Sequence, residues 1–136
     1  MEELRTLNER VARMIFMDLA KGLEYIHETA NAAHHAIRLE SLLYASHTGS
    51  TDPKDRAQIS NLKYLTESSS AKDNSKATFK PNHDYVRQYL APELLKKDIQ
   101  DNLDYRKADV WAFGVCLFAF LFKKLPFQIN EKGLGN

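Results

Sequence analysis

The sequence predicts a mainly α-helical domain with one small β-hairpin, and three observations support this. Residues 105–122 contain an apolar run, without a charged side chain from position 110 onward, that fits three to four helical turns. Residues 3–28 repeat apolar side chains at helical spacing. Two short segments, near residues 42–44 and 58–60, are typical of strands. We therefore expect a long helix, a hairpin and a buried central helix in one domain of 136 residues.

The first predicted element is a long amphipathic helix that ends between residues 28 and 31. Its charged side chains fall away from the apolar face, as a helix on the surface of a core requires. The apolar positions that recur at helical spacing are Leu4, Leu7, Val11, Met14, Ile15, Leu19, Leu23 and Ile26.

The predicted hairpin joins two short strands across a long connection. Leu42, Leu43 and Tyr44 suit a short buried strand, and residues 46–57 form a polar loop rich in turn-forming residues. Residues 66–83 contain almost nothing to bury, so we expect a second, mobile loop. This loop either is simply solvated or carries phosphorylation sites, for which the candidates are Thr66, Ser68, Ser69, Ser70, Ser75 and Thr78.

The predicted central helix is apolar all round, which is typical of a helix buried on every side. It is shorter than the ~20 apolar residues that cross a bilayer, so we predict no membrane span. Asp109 lies at its entry, and a buried carboxylate must be paired. We expect Asp109 to hold nearby backbone in place. Pro92, followed by Glu-Leu-Leu, suits the start of a helix earlier in the chain.

Composition excludes some classes of function. Charged residues make up 27% of the chain and nearly cancel to a net charge of +1, which gives no electrostatic case for binding nucleic acid. The single cysteine, Cys116, lies inside the apolar run and is interpreted as a small hydrophobic residue. The charged N-terminus has no signal-peptide core, and we expect a cytoplasmic protein. His34 and His35 are adjacent and lack a third ligand at useful spacing, so we predict no metal site.

The order of motifs along the chain resembles the C-terminal lobe of eukaryotic protein kinases. HHAIRLESLL lies where that family has H-R-D-L-x-x-x-N-L-L, and ISNLK lies where it has I-x-D-F-G. YLAPELL keeps the A-P-E motif, and ADVWAFGVCLFAFLFKKLPF resembles the central helix. The resemblance implies a partial kinase-like domain over residues 1–136, with the N-terminal lobe and the final helices absent.

The resemblance places unsuitable side chains at the three chemical positions. Kinases use an Asp that accepts the substrate proton, and an Asn and an Asp that hold magnesium. Here these positions fall on Ala36, Ser41 and Asn61, which offer no base and no charged ligand. Loss of a general base alone costs ~10²–10⁴ in rate. We therefore expect no cofactor, with ATP as the alternative and magnesium disfavoured.

Other positions match the architecture of kinases. The resemblance implies that Asp109 fixes the catalytic-loop backbone, while Lys63, in place of a family Gly, could meet a phosphate. His35 replaces the Arg that pairs with a phosphorylated activation loop, and Val86 falls where the substrate-binding loop has a hydroxyl residue. Residues matching structural or adenine-side positions are His34, Leu42, Tyr44, Leu62, Glu93, Trp111, Cys116 and Phe120.

These positions predict a catalytically inactive pseudokinase fragment that acts as a protein-interaction scaffold in signalling. Ala and Ser in HHAIRLESLL look like the H-A-L-x-x-x-S loop of integrin-linked pseudokinase, which implies cytoskeletal adaptors of the parvin type as partners. One alternative is an ATP-binding kinase domain fragment with weak or regulated phosphotransfer. Another is a helical adaptor unrelated to kinases.

Overall fold

The structure is a computed structural model that describes residues 9–45, 56–67, 84–95, 103–130 and 133–135. Its helices are α1 (Glu9–Glu24), which continues as a π-helical turn over Tyr25–Thr29, α2 (Asp84–Arg87) and α3 (Tyr105–Phe122). Its strands are β1 (Ala32–Ala33), β2 (Leu42–Ala45), β3 (Arg56–Ile59), β4 (Thr66–Glu67), β5 (Gln128–Asn130) and β6 (Gly133–Gly135). Single 3₁₀ turns lie at Leu39–Ser41, Leu62–Tyr64 and Pro92–Leu95.

The strands form three antiparallel pairs, β1 with β4, β2 with β3, and β5 with β6. The β2–β3 pair confirms the predicted hairpin with a long connection, in a register that runs from Leu42 opposite Ile59 to Ala45 opposite Arg56. The predicted loop bounds were wrong, because β3 begins inside the loop 46–57 and β4 lies inside the loop 66–83. Ala57 is buried and Thr66 pairs with Ala33, so packing and strand pairing order residues that look polar in sequence.

The helix α1 and its π turn confirm the predicted end of the first helix, at Thr29. The predicted start and the positions Leu4 and Leu7 lie outside the described residues. Met14, predicted on the apolar face, is 47% exposed, whereas Phe16 is buried. Burial at positions 12, 16, 19 and 23 sets the core-facing stripe, and a residue midway between 12 and 16 points to the opposite side.

The core lies between α1 and α3. The ring of Phe16 makes edge contacts with Phe113 and Phe120, with centroids 5.4 and 5.3 Å apart. Leu19 and Cys116 are almost fully buried beside them. The same cluster includes residues from outside the two helices, Ile37 and Tyr89, so the core anchors the segments that form the candidate site.

The helix α3 is not buried on every side, contrary to the prediction. Asp104 caps its start by accepting the Arg106 N–H at 3.1 Å, and Lys123 ends it in the left-handed region at φ 57°. One side is buried, but Val110 and Phe122 are each 58% exposed. An apolar sequence permits burial all round, but the elements that the structure describes cover one side of α3 only.

The strand β2 is likewise less buried than predicted. Leu43 is 53% exposed and Tyr44 is 47% exposed, while Leu42 packs against the core. No helix among the described residues is long and apolar enough to cross a membrane.

Candidate functional site

The site is organised around Asp109, in the first turns of α3. Its Oδ2 accepts the His34 backbone N–H at 2.6 Å and the His27 Nε2–H at 2.9 Å. Its Oδ1 accepts the His35 N–H at 2.9 Å. The carboxylate is only 3% exposed, and three donors compensate the loss of water around it. Asp109 thus holds the backbone of the loop that begins at His34.

His34 ties this loop to the segment after β3. Its Nε2 lies 2.8 Å from the Ser60 carbonyl oxygen, and its Nδ1 lies 3.2 Å from the Ala36 backbone nitrogen. Because a carbonyl can only accept and a backbone N–H can only donate, the ring is the neutral Nε2–H tautomer. Burial lowers the pKa of His34, which favours this neutral form.

Two residues of the site adopt the left-handed conformation, His35 and Asn61, each at φ 67°. This conformation is unfavourable for most L-residues, although Asn tolerates it well. His35 is held by its N–H bond to Asp109 and by a ring contact with Tyr105, with centroids 4.8 Å apart. Burial also lowers the pKa of His35.

Ser41 uses its hydroxyl inside the loop. Its Oγ accepts the Arg38 N–H at 3.0 Å and donates to the Arg38 carbonyl at 2.7 Å. The residue is 1% exposed. Its own carbonyl accepts the backbone N–H and the hydroxyl of Ser60, at 2.7 and 3.1 Å. The loop that contains Ala36 and Ser41 is therefore fastened to the segment that contains Asn61.

A cavity of about 210 Å³ opens beside this loop. Ala36 and Arg38 contribute to one wall, Val86 contributes to another, and α3 closes it with Tyr105 and Ala112. The remaining lining residues are His35, Ile37, Tyr89, Leu90, Ala91, Leu94, Ala108 and Asp109. Arg38 was not predicted as a site residue from the sequence. The signal that could have identified it is its positive charge two positions after Ala36 in HHAIRLES.

The residues predicted to lie beside a nucleotide are not part of this cavity. Leu42 packs against the core and Tyr44 is half-exposed. Lys63 is exposed, with its Nζ 4.8 Å from the centre of the Tyr64 ring. Leu62, which matches a structural position of the kinase family, lies in the 3₁₀ turn after β3 and is 50% exposed.

The remaining predicted positions are distributed between the core and its edges. Cys116 is fully buried and Phe120 contacts Phe16. Burial, with a smaller contribution from the charge of Glu40, raises the pKa of the Cys116 thiol to about 12, so the thiol stays protonated at neutral pH. Trp111 stacks on Phe127 with centroids 5.6 Å apart.

Some predicted positions fall at the ends of the described segments or beyond them. Glu93 is half-buried in the 3₁₀ turn Pro92–Leu95. Of the candidate phosphorylation positions, Thr66 lies in β4, while Ser68, Ser69, Ser70, Ser75 and Thr78 lie outside the described residues. Among the described residues, no group of three or more His, Cys, Asp or Glu side chains could hold a metal ion.

A comparison with models of known protein families shows the family to which this chain belongs. A family model described as the protein kinase domain matches residues 1–135. The chain belongs to the protein kinase domain family. This confirms the family to which the motif order pointed.

Several serine/threonine kinases are similar to this kinase-family chain. SAPK9 of Oryza sativa subsp. japonica is 33% identical over 124 residues, which is 91% of this chain and 30% of that protein. Ribosomal protein S6 kinase alpha-4 of Mus musculus is 28% identical over 124 residues, 91% of this chain and 14% of that protein. TOS3 of Saccharomyces cerevisiae is 27% identical over 120 residues, 88% of this chain and 20% of that protein. The chain thus spans less than a third of the length of these relatives.

Proposed function

We propose that this chain is a catalytically inactive, pseudokinase-type C-terminal lobe that acts as a cytoplasmic scaffold for protein interactions in signalling. The observation that carries the proposal is Ala36, which lines the cavity where the family resemblance puts the catalytic base. A methyl group cannot accept a proton, and none of the other side chains that line the cavity replaces that base. His35 is anchored against Tyr105, and Asp109 is occupied by three donors.

The positions that correspond to magnesium ligands support the same proposal. Ser41 is buried, and its hydroxyl forms hydrogen bonds with the backbone N–H and carbonyl of Arg38. Turning the hydroxyl toward a cation would break both hydrogen bonds. Asn61 brings a neutral amide where a divalent cation favours a carboxylate. Two weak ligands and no base leave little chemistry for phosphoryl transfer, which depends on positioning and on charge neutralisation.

The test is transfer of radiolabelled phosphate from ATP, with magnesium, to a generic basic protein substrate and to the chain itself. We expect no transfer above that of the variants Ser41→Ala and Asn61→Ala, because neither residue serves as a metal ligand. Transfer by the unaltered protein that is lost in both variants would overturn the proposal. Equal thermal melting of the three proteins in the same buffer shows that a difference is not caused by unfolding.

The second candidate function is an ATP-binding kinase domain with weak or regulated phosphotransfer. It is favoured by the similarity to SAPK9 and the other serine/threonine kinases. Lys63, exposed at the turn after Asn61, is the cation that could screen phosphates. Calorimetry with ATP, with and without magnesium, separates the two candidates. Binding that falls at least tenfold in Lys63→Met, but not in the control Lys107→Met, would support the second.

The partner class remains a prediction from the loop sequence HHAIRLES. If the likeness to integrin-linked pseudokinase holds, a calponin-homology domain of the parvin type should bind the protein. Calorimetry with such a purified domain tests this. An absence of binding heat would exclude this partner and leave the proposal of an inactive scaffold standing.

A further inference from the structure

Arg38 is the feature of the cavity that the proposed function does not use. The residue lines the cavity, and its Nε–H is buried with no described acceptor within hydrogen-bond distance. The nearest acidic atom, Oε2 of Glu40, is 3.9 Å away, which is beyond a hydrogen bond. Buried guanidinium donors are normally satisfied, because leaving them without an acceptor is costly.

The charges around Arg38 favour an incoming anion. Ala36 is uncharged, where the resemblance to kinases puts an aspartate, so the wall has no negative charge at this position. His35 is neutral at pH 7 because burial lowers its pKa. Asp109 is compensated by the His27 ring and two backbone N–H groups. Among the described residues of the lining, Arg38 is therefore the one side chain with a permanent positive charge, and its ion-pair partner Glu40, 3.9 Å away, is not part of the lining.

We propose that this cavity binds the carboxylate of a glutamate side chain presented by an extended segment of a partner protein. The guanidinium and a carboxylate match in charge and in planar geometry. Apolar walls, including Val86, Leu90 and Ala112, suit the methylene groups that precede the carboxylate. This inference extends the proposed scaffold function, because it states which side chain of a partner the cavity binds. It rests on that proposed function, since the scaffold role is what makes the ligand a protein segment.

A phosphorylated side chain fits the same site less well. It carries a charge of about −1.5 to −2 at neutral pH, which a single guanidinium does not balance. Glu40 stands beside Arg38, so the second negative charge would meet repulsion. A monoanion such as glutamate adds one charge opposite one cation.

The experiment is a nuclear magnetic resonance titration of the ¹⁵N-labelled protein with N-acetyl-glutamate N-methylamide, without nucleotide or magnesium. The Arg38 side-chain signal reports contact of its guanidinium with the carboxylate. We expect this signal and the amides of residues 35–38 to shift, with an affinity about tenfold higher than for the matched glutamine compound, as a charge-assisted hydrogen bond predicts. That comparison uses unaltered protein and does not depend on any variant folding.

Three variants sharpen the test, each checked for dispersed spectra. Arg38→Met keeps the aliphatic stem and should abolish the difference between the two compounds. Ala36→Asp puts a carboxylate in the wall and should weaken glutamate binding at least tenfold. Glu40→Gln removes the competing charge and should strengthen glutamate binding severalfold.

Equal affinity for the glutamate and glutamine compounds would overturn the inference. Tighter binding of N-acetyl-phosphoserine N-methylamide, titrated in the same way, would also overturn it. These outcomes are independent of the proposed inactivity, because no phosphate donor is present in the titration. Phosphotransfer in the radiolabel assay would overturn the inactive scaffold without changing the expected shift of the Arg38 signal.

Discussion

Single residues in this chain act mainly by closing hydrogen bonds around the loop that starts at His34. Asp109 accepts three of them, and the His34 ring forms two more, with the Ser60 carbonyl and the Ala36 backbone N–H. The side chains at the chemical positions, Ala36 and Ser41, are buried within the same loop. The loop is therefore held firmly, while Ala36 within it has no side-chain atom that could accept a proton.

The substitution Asp109→Asn should strongly destabilise the protein. An amide oxygen can accept in place of one carboxylate oxygen, but its NH₂ group would face a backbone N–H, and a buried donor would lose its acceptor. We expect a loss of about 2–4 kcal/mol in the free energy of unfolding, measured by denaturant titration.

The matched control is Asp104→Asn. Asp104 caps α3 through the Arg106 N–H, and Asn caps a helix about as well as Asp, so the expected change is within about 0.5 kcal/mol. Similar losses in both variants would contradict the role given to Asp109.

Stability should fall as pH falls, because of His34 and His35. Burial lowers the pKa of both below the ordinary value of 6.5, so the unfolded chain binds protons more readily than the folded chain. By linkage, stability is fully present above pH 6.5 and is lost as pH drops below it, toward the lowered pKa values of the folded state.

The measurement is the unfolding free energy at pH 7.5, 6.5 and 5.5, together with the chemical shift of the His34 ring. We expect the His34 ring to titrate below pH 6.5. A midpoint at or above that value would contradict the neutral tautomer.

At the scale of elements, α1 and α3 contact each other through a few aromatic side chains. Phe16 projects from α1 between Phe113 and Phe120. The same cluster includes Ile37, one residue after Ala36, so the helix pair also supports the loop. The contact between the helices is thus a precondition for the site.

The substitution Phe16→Ala should cost about 3–5 kcal/mol of unfolding free energy, since it removes a buried ring and leaves a cavity. Met17→Ala is the control on the next residue, which is 54% exposed, and its expected effect is within about 0.5 kcal/mol. Thermal and denaturant unfolding of both variants measures the difference. If the two substitutions had equal effects, Phe16 would not belong to the core.

The C-terminal end of α3 offers a stabilising change. Lys123 adopts φ 57°, a conformation that glycine reaches without strain from a Cβ atom. We expect Lys123→Gly to raise the unfolding free energy by about 0.5–1 kcal/mol, partly offset by loss of the exposed contact with the Phe120 ring. Lys124→Gly, at an exposed position without positive φ, should not stabilise the protein.

At the scale of the whole molecule, apolar side chains stay open to solvent at both ends of α3. Val110 and Phe122 are each 58% exposed. Exposed apolar surface of this kind favours association, because burial of the surface removes it from water. The chain spans less than a third of the length of the protein kinase relatives described above.

The double substitution Val110→Ser and Phe122→Ser should reduce self-association of the protein. Sedimentation velocity over a range of concentrations measures this, and we expect a smaller rise of the sedimentation coefficient with concentration than for the unaltered protein. Lys107→Ser, on an exposed and charged position of the same helix, is the control and should change nothing. Identical behaviour of the double variant and the unaltered protein would contradict the prediction.

The sequence by itself determined the family, the helices α1 and α3 and the β2–β3 hairpin, whereas the β1–β4 and β5–β6 pairs were not predicted. Apolar spacing predicted the end of α1, the extent of α3 and the β2–β3 hairpin, because helical and strand periodicities are properties of neighbouring residues. Motif order indicated a protein kinase, and the resemblance predicts that Ala36, Ser41 and Asn61 are the altered positions. These inferences need only local pattern and chemical type.

Only the tertiary structure decided which sides of the helices and strands are buried and which distant side chains contact each other. Phe16 instead of Met14 faces the core, and α3 and β2 leave apolar side chains exposed. The hydrogen bond between His34 and Asp109 spans 75 positions, and the cavity joins Arg38 to Val86 and Tyr105, which are 48 and 67 positions away. The spacing of residues along the chain does not encode these contacts. Burial and unsatisfied hydrogen bonds depend on which distant segments pack together in the fold.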